Sequence, residues 1–368
     1  MTGKRKSMLW IALISILFGL ILGAIVIAIL GKNPLQAYYN LLQGCGLALK
    51  GKYAGGKSIL TDFSSFVDFW TPMIFAALAV AVALKSGLFN IGVSGQMLTA
   101  GFIASITVGY SSLAAPAAKP LVILVGIIVG ACIGALIGFL KYRFNINEVV
   151  SSIMLNYIAE YVISFFINTF FVDPVSRQSR EISGASRLTL HQTVIGGYKY
   201  DLPIGFLIAI AVTLLVKFLF DKTVFGYEMK AVGLNRTAAK YAGIRVGTNM
   251  VSSMALSGGL AGLAGVTYFL GYYASIQPKI LPSTGFDAIA VSLLGANNPI
   301  GILVASFLIQ IIDKGSTYMS SQAGLEAEIA PVITGLILLS AACSVFYLTL
   351  GTRLKEKLAE RKGGPQHE

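Results

Sequence analysis

The chain has 368 residues, 55% of them hydrophobic and only 12% charged, with a formal net charge of +12. Soluble domains carry roughly 45–50% apolar and about 25% charged residues, so a water-soluble globular protein is excluded and most of the chain belongs in a bilayer. Excess positive charge in such a protein reflects the preference of Lys and Arg for cytoplasmic loops, not nucleic-acid binding. Cys45, Cys132 and Cys343 are too far apart for ligand spacing and His191 and His367 are isolated, so neither a disulfide framework, a metal site nor a histidine-based catalytic centre is expected.

The first apolar run, Met8 to Leu30, follows Lys4, Arg5 and Lys6. At about 23 residues it exceeds a signal-peptide core and reads as a retained first span. Further apolar runs cover Phe66 to Leu84, Leu88 to Val108, Leu121 to Leu140, Val149 to Val172, Leu202 to Phe220, Val251 to Gly271, Asp287 to Ile312 and Ile329 to Leu350. An odd number of crossings would put the basic tail, with Arg353, Lys355, Lys357, Arg361 and Lys362, opposite the basic N-terminus. The turn residues from Gly295 through Asn297 and Asn298 to Pro299 interrupt the eighth run, and a split there gives about ten crossings, with Phe286 to Leu294 as a partial helix. The predicted fold is an all-α bundle of about ten transmembrane helices with both termini cytoplasmic. Of the 28 Lys and Arg residues, 17 then lie on cytoplasmic segments. The outer segments, chiefly Gly31 to Ser65, Tyr110 to Pro120 and Asp173 to Asp201, are too short for separate domains. Residues 1–368 are thus expected to form a single transmembrane domain, with a cytoplasmic segment at 221–250 and a basic tail at 351–368.

Gly51 to Ser58 fits the phosphate-loop pattern G-x-x-x-x-G-K-[ST]. The pattern needs a buried strand before it and a helix after it in an alternating βα context, which is absent, so nucleotide hydrolysis is expected on another chain. The third run opens with Gly87, Gly92 and Gly95, which permit close packing or unwinding, and Asn90, Ser94 and Gln96 are placed to bond within the bundle or to line a path. The fifth run carries Glu148, Ser152, Asn156, Glu160, Ser164 and Asn168 at four-residue steps. That stripe winds slowly around the helix, and Glu160 stands about 18 Å along the axis from Glu148. Interhelical bonding and lining of the substrate path are equal readings of it. Within the seventh run, Ser257 to Gly265 has the small-residue spacing of packed membrane helices.

Between two apolar runs lies a polar island, Lys230 to Ile244. Asn235 is a suitable N-cap, Arg236 to Ala242 gives about two helical turns with Arg236 and Lys240 on one face, and Gly243 can close the helix in a left-handed conformation. A helix this short is marginal alone, and Ala238, Ala239 and Ala242 offer small faces for docking against another protein. The island resembles the coupling helix of ABC importer permeases. Ser86 to Met97, Asn147 to Tyr157 and Gly285 to Gly301 are likewise similar to the permease family serving ribose, branched-chain amino acids and nucleosides, most closely its nucleoside (guanosine-type) branch.

That resemblance implies a multi-pass permease subunit of the bacterial plasma membrane. Its implied partners are a cytoplasmic ABC ATPase, a second homologous permease and an extracytoplasmic substrate-binding lipoprotein that delivers a nucleoside. It implies no cofactor, no metal, no nucleic acid and no bond chemistry in this chain. Ala231, Gly233, Asn235, Arg236, Ala238, Ala239, Lys240 and Gly243 would couple to the ATPase. Read from the residues themselves, Asn90, Ser94, Gln96, Ser152, Asn156, Glu160, Asn297 and Asn298 would lie along the substrate path, and the resemblance carries nothing over to Glu160. A same-family permease for a simple sugar such as ribose or for branched-chain amino acids is the nearer alternative. A proton-coupled secondary transporter with Glu160 titrating is the more distant one.

Overall fold

A computed structural model of the chain describes residues 2–53, 57–195, 197–326 and 328–342. The basic tail 351–368, Cys343 and the centre of the phosphate-loop pattern lie outside the described residues. Among the described residues thirteen α-helices run in chain order: α1 (Thr2–Ile29), α2 (Pro34–Gly44), α3 (Ile59–Lys85), α4 (Val93–Ala104), α5 (Ala115–Phe144), α6 (Glu148–Phe166), α7 (Ile204–Lys222), α8 (Val224–Leu234), α9 (Arg236–Tyr241), α10 (Val246–Thr267), α11 (Thr284–Leu294), α12 (Pro299–Ala323) and α13 (Ile329–Ala342). Six of the described helices are long and apolar enough to cross a bilayer, and the pair Ile16–Ile29 and Pro34–Gly44, bent by 115°, adds a seventh if counted as one span. Val93–Gly109 and Thr284–Leu294 are shorter apolar helices. The eighth apolar run is split as its turn residues require, Ala296 and Asn297 taking positive φ between α11 and α12. The third run departs from expectation, because residues 88–92 are non-helical and the helix starts only at Val93.

The expectation of an all-α chain also needs correction. β1 (Thr189–Ile195) and β2 (Tyr198–Pro203) form an antiparallel hairpin with a register shift between Leu190 and Thr193. The signal was present in Thr, Val, Ile and Tyr flanking the two-residue pair Gly196 and Gly197.

The chain divides into two compact units, residues 1–41 with 315–368 and residues 42–314. In the first, α1 meets α13 so closely that a Cβ at Gly19 would fall 2.4 Å from Ile337 Cγ1. Tyr38 donates from its hydroxyl to the Leu20 carbonyl.

The second unit is built around α3 and α10. α10 contacts three neighbours through small residues. Toward α5, a Cβ at Gly258 would lie 2.1 Å from the Gly130 carbonyl oxygen, and one at Gly262 would lie 1.9 Å from that of Gly126. Toward α4, Gly265 faces the Met97 carbonyl at 2.2 Å on the same measure. Toward α3, the Ser257 hydroxyl donates to the Ala79 carbonyl at 2.6 Å. Apolar side chains gain nothing by leaving lipid for a helix interface, so association in a bilayer depends on such close backbone approach.

Two ends of this unit are distinguishable. At the hairpin end, α3 is tied to the strands by Thr61 Oγ1 donating to the Lys199 carbonyl (2.8 Å) and by the Asp201 amide donating to Ser64 Oγ (3.3 Å). Ser58 caps α3 there, exchanging bonds with Thr61. Also at this end α4, α6 and α10 each finish in a π-turn, Ser105–Gly109, Ile167–Phe171 and Tyr268–Tyr273. Residues 180–188 lace across them: the amides of Arg180, Ser183 and Leu188 donate to the carbonyls of Phe171 (2.8 Å), Gly109 (2.9 Å) and Leu270 (2.8 Å). The loop thereby supplies donors to carbonyls that every helix C-terminus leaves over. The opposite end carries α8 and α9.

The glycine contacts give a direct test. Gly130→Ala or Gly262→Ala should lower the thermal stability of the purified protein by the overpacking penalty of about 1–3 kcal/mol or more. Gly335→Ala, where a Cβ meets nothing within 4 Å, should leave the melting temperature unchanged or raised.

Candidate functional site

The polar island folds as its sequence requires. Thr223 caps α8 by accepting from the Gly226 amide (3.1 Å), and Asn235 caps α9 by accepting from the Ala238 amide (3.0 Å). Gly243 ends the segment at φ +83. Arg236 and Lys240 are exposed, and Arg236 Nη2 reaches back to the Gly87 carbonyl at 3.1 Å.

The exposed face of the island differs from the expected one. Ala239 is buried at 3% exposure in a cluster with Ala83, Leu88, Ile137, Val232, Met250 and Met254, and Ala231 packs against the same cluster. A Cβ at Gly233 would lie 2.3 Å from the Lys85 carbonyl oxygen. Ala239 and Gly233 therefore hold the island to its own bundle, and bulky residues there would disturb folding. The outward face presents Ala238 and Ala242 together with Leu234 and Tyr241, which are 88% and 90% exposed. Beside it opens a cleft of about 950 Å³ lined by Tyr142, Arg236, Lys240, Tyr241 and Arg245. Leu234 and Tyr241 are legible in the sequence as large apolar residues in a polar island.

Most residues expected along a substrate path are engaged in stitching helices together. Asn90 Nδ2 donates to Gln96 Oε1 (3.0 Å) and Ser257 Oγ (2.9 Å), while its Oδ1 accepts from the Gly92 amide (3.0 Å). Asn156 on α6 accepts from the Gly95 amide (3.0 Å) and donates to the Ile91 carbonyl (3.1 Å). Ser94 Oγ donates to the Pro282 carbonyl at 2.9 Å. These bonds satisfy the backbone at 88–92, where the helix is interrupted. Asn297 Oδ1 pairs with Ser292 Oγ (3.0 Å), and Asn298 Oδ1 accepts from the Ile300 amide (3.0 Å), so both serve the turn between α11 and α12. Ser152 is fully buried, and among the described residues its hydroxyl has no hydrogen-bond partner. Glu160 is half-buried, and Glu148 pairs with Lys141 at 2.9 Å. Gln96 and Asn156 border an apolar cleft of about 220 Å³ between α4, α5 and α6.

Ionisable residues nearer the hairpin end were missed. Asp68 accepts from Thr189 Oγ1 at 2.7 Å, and Lys314 Nζ donates to Tyr272 Oη and Ser65 Oγ. Their signal was the charge itself inside or bordering apolar runs. Among the described residues no group of three or more His, Cys, Asp or Glu is arranged to hold a metal.

The family model described as branched-chain amino acid transport system / permease component matches residues 64–351. The nucleoside ABC transporter permease protein NupB of Lactococcus lactis subsp. cremoris is 36% identical over 346 residues, 92% of this chain and 91% of that protein. The guanosine ABC transporter permease protein NupP of Bacillus subtilis is 33% identical over 358 residues, 96% and 99% of the two chains. A glucose ABC transporter permease of Haloferax volcanii is 27% identical over 355 residues, 94% and 90% of the two.

Replacing Asn156 by Leu leaves the Gly95 amide and Ile91 carbonyl without partners, at a cost of about 1–3 kcal/mol each. The melting temperature of the purified protein should fall. Ser152→Ala, which removes a hydroxyl already lacking a partner, should leave it unchanged or slightly raised.

Proposed function

The chain belongs to the branched-chain amino acid transport system permease family, and from that premise we infer that it is the transmembrane subunit of an ATP-driven importer for nucleosides. The observation that carries the substrate is the likeness to nucleoside and guanosine permeases over more than nine-tenths of this chain. The protein is a multi-pass integral protein of the plasma membrane. We place about ten crossings in one permease domain, with both termini, the tail 351–368 and the segment 221–250 on the cytoplasmic side. The hairpin end of residues 42–314 is then the outer end, where a binding lipoprotein delivers substrate. A second permease subunit completes the pathway, and ATP is hydrolysed on separate cytoplasmic subunits.

In this reading the energy arrives mechanically. The outward face of α8 and α9, with Leu234, Arg236, Ala238, Lys240, Tyr241 and Ala242, seats in the ATPase. Asn235 and Gly243 shape that face from within, and Ala231, Gly233 and Ala239 pass its displacement to α3, α5 and α10. Asn90, Ser94, Gln96, Ser152, Asn156, Glu160, Asn297 and Asn298 define the inner part of the path, most of them as bracing. The same-family reading as a sugar permease draws on the glucose permease relative, whose identity is lower.

Two experiments test this. In vesicles holding the complete complex, guanosine uptake should require ATP and persist when the proton gradient is collapsed. Uptake that stops with the gradient would point to the proton-coupled alternative, and uptake of glucose alone to the sugar reading. Leu234→Ser and Tyr241→Ser should cut transport-linked ATP hydrolysis by tenfold or more, as loss of anchor side chains at an interface does, without lowering the melting temperature of the isolated permease.

A further inference from the structure

A patch of aromatic and ionisable side chains near the hairpin end has no task in the coupling scheme. Lys314 stands nine residues before the end of α12, about 13 Å along its axis. Its ammonium donates to Tyr272 Oη (2.5 Å) and Ser65 Oγ (3.3 Å), and lies 4.7 Å from the Tyr272 ring centre and 5.4 Å from that of Phe69. Next to it on α12, Asp313 accepts from Gln310 Nε2 at 3.2 Å. Asp287, in the first turn of α11, is near enough to act electrostatically on both Asp313 and Tyr268. The Tyr273 ring lies 4.7 Å from that of Tyr268 and 4.8 Å from that of Tyr272, and Tyr273 is 49% exposed. Asp287, Asp313 and Lys314 are half-buried.

Two constraints fix what this patch faces. Charged groups at such depth are too costly against lipid and turn to a partner or a water-filled cavity. The chain from Tyr273 to α11 is also irregular, with Ala274 and Lys279 at positive φ. Its backbone is held by side chains, the Lys279 amide donating to Ser164 Oγ at 2.7 Å. Irregular backbone at membrane depth persists only where protein or a cavity surrounds it.

The chemistry of the patch is selective. Half-exposed tyrosine rings offer a face to a flat heterocycle. A carboxylate accepts only, and its two oxygens have room for several donors, so two mutually repelling carboxylates favour a ligand that brings a pair of hydroxyl donors. With the two carboxyl groups beside it, the Lys314 ammonium leaves no excess positive charge to draw an anion. A neutral heterocycle bearing a vicinal diol meets all three conditions.

We propose that Tyr273, Asp287 and Asp313, positioned by Lys314 and Tyr272, form this permease's own contact site for the transported nucleoside, the ring stacking on the base and the carboxylates accepting the ribose hydroxyls. The proposal rests on the nucleoside-importer reading. It is tested by equilibrium binding of guanosine, 2′,3′-dideoxyguanosine and guanosine monophosphate to the purified permease–ATPase complex without binding protein. Wild type should hold guanosine about tenfold more tightly than the dideoxy compound, in keeping with a lost hydrogen bond to a charged group, and should hold the monophosphate least. Asp287→Asn and Asp313→Asn should erase the preference for the diol. Tyr273→Leu should weaken both nucleosides alike, and Tyr273→Phe should restore them. If Asp313→Asn fails to assemble, Asp287→Asn and the Tyr273 pair decide. An undiminished preference in Asp287→Asn, or no binding to wild type at millimolar guanosine, overturns the site. Parallel uptake separates the two levels: a wild-type complex that does not import guanosine with ATP sinks the importer reading, whereas import with unaltered binding in the variants sinks the site alone.

Discussion

Inside a bilayer, a backbone amide or carbonyl without a partner costs several kcal/mol and has no water to turn to. This constraint governs every place where the chain is not a plain helix. Residues 88–92 are closed by Asn90 and Asn156, the irregular stretch before α11 by Ser94 and Ser164, and the turn between α11 and α12 by Asn297 and Asn298. Intramembrane Asn and Ser residues, which invite a functional reading, are here largely what interruption of the helices demands.

The interruptions would be pointless without a rigid frame to carry them. That frame is the contact of α10 with α5, where glycine faces carbonyl oxygen at a distance no side chain tolerates. Close-packed interfaces of this kind transmit displacement with little deformation. A push on the cluster holding Ala239 therefore reaches Met254 on α10 and Ile137 on α5 directly. The α8–α9 segment and the long helices form one mechanical element at that end.

Much of this was legible in the sequence, and the gaps have physical causes. The caps at Asn235 and Gly243 and the split at Asn297 were readable because each depends on local backbone chemistry. The small-residue face of α10 was readable because its spacing repeats. The orientation of Ala239 was not, since a short helix of small residues shows no contrast between its faces. The hairpin is hard to read because its glycine pair lies in a polar stretch whose composition is also that of a loop. The roles of Asn90 and Asn156 depend on partners 167 and 65 residues away, which no local pattern reports. The ionisable patch required the meeting of α3, α10, α11 and α12, although each charge stood out within its own segment.

The loop laced across the three π-turns has a consequence for motion. Because residues 180–188 bond to the ends of α4, α6 and α10 within nine residues, a shift of any one end pulls on a strap anchored at the other two. At net values of about 0.5–1.5 kcal/mol per hydrogen bond, a single anchor costs little to release, so one helix end can slip while the strap stays seated on its neighbours.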